Sequence, residues 1–118
     1  VEYKEPEKAC NPVWYCNASP TTDGERVVVC HGSAGVYCYD FTGKELWSRT
    51  DLGKWEHQFG NSASPVLYGD TVIQWCGPNE KTGRNFLIAV NKTTGKTVWE
   101  HDEKFKDYPR QIRCIGIL

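Results

Sequence analysis

The chain has 118 residues, with 14 Lys and Arg against 15 Asp and Glu and a formal net charge of −1. Charges so balanced and interspersed offer no field to hold a polyanion, which argues against a nucleic-acid partner. No apolar run reaches the roughly 18 residues that a membrane-spanning helix needs, and five Trp and six Tyr must supply much of the buried area.

Met is absent, so Val1 reads as an interior position of a longer chain. Residues 1–8 are charged and lack the apolar centre of a signal peptide. Residues 1–16 read as an irregular N-terminal segment holding Cys10 and Cys16. Those two are the best candidates for a disulfide among Cys10, Cys16, Cys30, Cys38, Cys76 and Cys114. The cysteines show no C-x-x-C spacing, and their pairing stays open. Cys30 and Cys38 fall in strand-like runs, where Cys acts as a small hydrophobe.

From residue 18 onward the chain repeats itself. Ser19-Pro20, Gly24 and Val27-Val28 return 45 residues later as Ser64-Pro65, Gly69 and Val72-Ile73. Thr42-Gly43-Lys44-Glu45-Leu46-Trp47 returns 52 residues later as Thr94-Gly95-Lys96-Thr97-Val98-Trp99. The offset grows because the loop at 77–85 is longer than the one at 32–35.

Taken in order, the first repeat opens on a short Ser-Pro strand and turns at Asp23-Gly24. Strands follow at 26–31 and 36–40, then a tight turn at Thr42-Gly43 and a strand at 44–50. The second repeat turns at Gly69-Asp70, with strands at 71–76, 86–91 and 96–101 around a turn at Thr94-Gly95. The runs are β-branched and alternating, and Gly supplies the positive φ of the turns. Nothing shows a helical period. The pattern predicts an all-β fold of four-stranded antiparallel sheets, of the kind that build β-propeller blades. The organisation expected is 1–16 irregular, 17–60 first blade, 61–104 second blade and 105–118 a C-terminal segment with a possible extra strand at 112–118. Closed propellers typically need about four to eight blades, so two repeats imply a larger functional object.

Gly43, Trp47, Gly95 and Trp99 mark the structural repeat, each Trp four residues after its turn glycine. A large flat side chain at that point on the outer strand is suited to docking on the turn of an adjacent blade. For ligands, the loops 31–35, 51–61 and 77–85 should share one end of the blades. They carry Trp55, Glu56, His57, Gln58, Glu80 and Arg84, of which Trp55, His57, Gln58 and Arg84 are the candidate ligand-face residues. No catalytic constellation is evident: there is no Gly-x-Ser-x-Gly elbow and no Gly-rich phosphate loop. His31, His57 and His101 lack metal-ligand spacing. Glu100, Asp102 and Glu103 read as a solvated acidic strand end.

Ser19-Pro-x-x-Asp-Gly-Glu-Arg-Val, Gly32-Ser-x-Gly-x-x-Cys-Tyr-Asp, Ser64-Pro-Val-Leu-Tyr-Gly-Asp-x-Val-Ile and Ala89-Val-Asn-Lys-Thr-Thr-Gly-Lys-Thr-Val-Trp99 carry a family resemblance. Together they resemble the pyrroloquinoline-quinone-like (PQQ-like) β-propeller repeat proteins of bacteria, over residues 16–101. That resemblance implies one of two roles. One branch of the family holds quinone-dependent dehydrogenases with a calcium ion beside the cofactor. The other holds non-catalytic propellers that bind proteins. The dehydrogenases carry an adjacent Cys-Cys pair, which is absent here, so the reading leans away from an enzyme. The expectation is a non-catalytic scaffold or protein-interaction module in the periplasm or another extracytoplasmic compartment. Its partners would be proteins, the remaining blades of a longer chain, or further copies meeting through sheet edges. No cofactor is evident, and PQQ and calcium enter only if the chain belongs to a larger quinoprotein. A fragment of such a dehydrogenase is the alternative, and a propeller binding a small ligand or glycan through Trp55 is a further one.

Overall fold

The computed structural model describes residues 18–55 and 63–103. They form two four-stranded antiparallel sheets, each a meander in chain order. The first contains β1 (Thr21–Thr22), β2 (Arg26–Cys30), β3 (Val36–Asp40) and β4 (Glu45–Arg49). The second contains β5 (Val66–Tyr68), β6 (Thr71–Cys76), β7 (Asn85–Asn91) and β8 (Thr97–Glu103). The expected all-β architecture is present, apart from a single 3-10 turn at Gly32–Ala34 between β2 and β3. The Cys10–Cys16 pairing, Cys114, and the expected strand at 112–118 lie outside the described residues.

The turns that separate the outer strands are built by side chains as much as by glycine. Asp40 Oδ1 accepts hydrogen bonds from the amides of Thr42 and Lys44 at 2.9 and 3.0 Å. Asn91 Oδ1 does the same for Thr93 and Thr94 at 2.8 and 3.1 Å. A short polar side chain thereby satisfies amides that the strand ladder cannot reach. The Thr42 hydroxyl and the Lys44 amide hold the Asp40 carboxyl below the usual carboxylate range. Asn79 repeats the device in the longer loop, its Oδ1 accepting from Lys81 and Thr82 at 3.0 and 3.1 Å.

Each blade also carries a register shift at the same point of its outer pair, between Cys38 and Tyr39 in the first and between Ala89 and Val90 in the second. A bulge there bends the outer strand and deepens its twist. The last strand runs two residues beyond the 96–101 expected from sequence. Its ladder continues through Phe86↔Asp102 and Asn85↔Glu103.

The period-2 alternation of a strand decides which residues meet between the blades. Val28, Cys30, Val36, Cys38 and Trp47 share one face of the first sheet. Val72, Cys76, Phe86, Ile88 and Val90 share one face of the second, and the two sets form one continuous core. In the repeat, Val28 corresponds to Ile73 and Cys30 to Trp75, residues that point away from this core. The blades therefore use opposite faces and stack front to back, the arrangement that lets blades succeed one another around a propeller.

Candidate functional site

Two regions bring polar and aromatic side chains together: the seam between the blades and the loop end beside it. At the seam, Trp47 leaves β4 and lies on the 91–96 turn of the second blade, only 7% exposed. Its Nε1 donates to the Lys92 carbonyl at 2.8 Å. A Cβ added to Gly95 would stand 2.8 Å from Trp47 ring atoms, so only glycine lets the indole come this close. The Lys92 carbonyl also accepts from Arg26 Nη1 at 3.1 Å, and the same nitrogen donates to Thr93 Oγ1 at 3.2 Å.

Charge then brackets the indole. Lys92 Nζ donates to Asp23 Oδ2 at 3.0 Å, and Arg26 Nε lies 3.2 Å from the same oxygen. The Glu25 amide and the Lys92 ammonium hold Asp23 down at about 2, well under the ordinary aspartate value of 3.8. On the other side, Arg49 Nη1 donates to the Gly95 carbonyl and to Thr97 Oγ1 at 3.0 and 2.8 Å. Arg49 is held in place by Asp51, whose Oδ1 is 2.8 Å from Nε. That ion pair raises the Arg49 pKa and lowers that of Asp51. Sequence reasoning identified the tryptophan and glycine of this seam and missed Asp23, Arg26, Arg49 and Lys92. The available signal was Arg26, a charge on the same strand face as Val28 and Cys30.

At the loop end, the 3-10 turn, residues 51–55 and the 77–84 loop come together. Ser33 Oγ accepts from the Trp55 amide at 2.8 Å and donates to the Trp55 carbonyl at 3.3 Å. Trp55 forms an antiparallel bridge with Asn79, and the Glu80 amide donates to the Lys54 carbonyl at 2.9 Å. Closing the three loops turns the Trp55 indole inward. It is 5% exposed, belongs to the interblade core, and donates through Nε1 to the Leu52 carbonyl at 3.1 Å. The ring expected to face a ligand thus packs as a core residue, because Ser33 and Asn79 fasten its backbone on both sides.

Arg84 sits elsewhere at this end. Its guanidinium carbon is 4.0 Å above the Phe86 ring centroid, and Nε donates to Asp102 Oδ1 at 2.8 Å. Glu100 adds a contact at 3.5 Å, and these carboxylates, Asp102 foremost, raise the arginine pKa. Arg84 therefore pairs with two carboxylates of the acidic strand end, Asp102 and Glu100, whose side chains remain partly solvated. Glu56, His57 and Gln58 lie outside the described residues.

Buried polar groups in the second blade tie it internally. Gln74 Nε2 donates to the carbonyls of Ala63 and Trp75 at 3.0 and 2.9 Å. Burial pushes the Cys76 thiol up and the His31 imidazole down, so both rest in their neutral forms. Among the described residues no three His, Cys, Asp or Glu side chains converge as metal ligands. No helix there is long and apolar enough to cross a membrane.

A family model described as PQQ_2, outer membrane protein assembly factor BamB, matches residues 7–112. The chain belongs to the PQQ_2 family. No curated protein matches it. Among solved structures, PQQ_2 blades of this kind are similar to a stretch of a europium-containing methanol dehydrogenase, with 22% identity and a TM-score of 0.63 over 79% of this chain and 16% of that one. They are also similar to the quinohemoprotein alcohol dehydrogenase of Comamonas testosteroni, at 20% identity and TM-score 0.61, covering 79% of this chain and 15% of that one. A third is quinohemoprotein alcohol dehydrogenase ADHIIG of Pseudomonas putida HK5, at 20% identity and TM-score 0.62, covering 75% of this chain and 13% of that one. At such identities the likeness concerns the fold: PQQ-like β-propeller blades. The chain spans about one sixth or less of these structures.

The described residues do not fit a quinone with its calcium ion. Trp55 has no open face on which a flat cofactor would stack, and among the described residues no cluster of cation ligands is found.

Proposed function

We propose that this chain is a segment of a non-catalytic PQQ-like β-propeller that serves as a scaffold or protein-interaction module outside the cytoplasm. The observation that carries the reading is how the chain spends its functional-looking side chains. Trp55 is consumed by the core, Arg84 by Asp102 and Glu100, and the seam charges by one another. Among the described residues five large apolar side chains, Phe41, Leu46, Tyr68, Val98 and Trp99, are exposed. Exposed aromatic side chains suit protein contact, where they supply most of the binding energy. The family's description as an outer membrane protein assembly factor supports an extracytoplasmic protein-binding role.

The second reading, a fragment of a quinone-dependent dehydrogenase, is favoured by the solved structures the blades resemble. Dye-linked alcohol oxidation by the full-length parent protein, reconstituted with pyrroloquinoline quinone and calcium, separates the two. The scaffold reading expects no turnover together with cross-linking to a protein partner in the native host. Quinone-dependent turnover would overturn it. The small-ligand or glycan reading rested on Trp55 and the polar loops near it; the Trp55 ring lies in the core, and Glu56, His57 and Gln58 lie outside the described residues.

A further inference from the structure

We draw no further inference here: the strongest candidate, the surface patch of exposed apolar side chains that Leu46 and Val98 make at the bulge of each blade's outer strand, carries no proposal because nothing in the structure shows what covers it.

Discussion

Alanine at Gly95 and alanine at Gly43 place the same change at the same point of two turns, and the structure predicts different costs. Gly95 has φ +77° and Gly43 φ +90°, a region where an L side chain is strained by about 1–2 kcal/mol. Both variants carry that strain. At Gly43 nothing further is met, so Gly43→Ala should destabilise by about 1–2 kcal/mol. At Gly95 the new methyl stands 2.8 Å from two ring atoms of Trp47. The indole can retreat only by lengthening its 2.8 Å hydrogen bond to the Lys92 carbonyl and loosening the core beneath it. Overpacking of this kind adds about 1–3 kcal/mol, which brings Gly95→Ala to about 2–5 kcal/mol. Urea unfolding followed by tryptophan fluorescence, at dilutions where the chain is monomeric, measures both. In a Trp47→Ala background the extra cost of Gly95→Ala should vanish, leaving only the strain. Equal costs at the two glycines, or an extra cost that survives the loss of Trp47, would refute the docking of Trp47 on this turn.

Further outcomes follow from the same geometry. Because the folded pKa of Asp23 is about 2 against 3.8 ordinarily, the unfolded chain binds more protons in that interval, and stability should fall as pH drops from about 4 to about 2. Above the unfolded value its contribution is complete. Acid titration of Asp23→Asn should show a shallower loss across the same window. Cys38 and Cys76 are buried thiols whose pKa burial raises, so mapping of alkylation by mass spectrometry should find both unmodified in the native protein and both modified in urea. Labelling of either under native conditions would contradict the interblade core. Arg84→Ala should cost about 1–2 kcal/mol in thermal or urea unfolding, since its ion pairs are largely exposed while its guanidinium covers the buried Phe86 ring. A larger loss would mean that Arg84 is part of the fold rather than of its surface.

The strands were legible in the sequence because each face is buried against something different, and alternation records that directly. The Asp40-to-Gly43 and Asn91-to-Gly95 turns were legible because their chemistry is local. The seam was half legible: a repeated tryptophan four residues past a glycine stands out, whereas the Arg26, Asp23 and Lys92 contacts join residues nearly 70 positions apart. Trp55 shows why the loop end was hardest to read. An aromatic among polar neighbours looks presented to solvent, and only the Ser33 and Asn79 contacts turn it inward. The extension of β8 through Asp102 and Glu103 was hidden for a related reason, since Arg84, just before β7, pairs with Asp102 and Glu100 from outside the strand.

Two consecutive blades stack front to back with Trp47 seated on Gly95. Proton NMR tests it most directly, with Gly43 as the internal control in a monomeric sample. A contact between the Trp47 indole and the Gly95 α-protons is expected, with those protons displaced by the ring current while those of Gly43 are not. Gly95 α-protons at ordinary positions, with no contact to the indole, would contradict it.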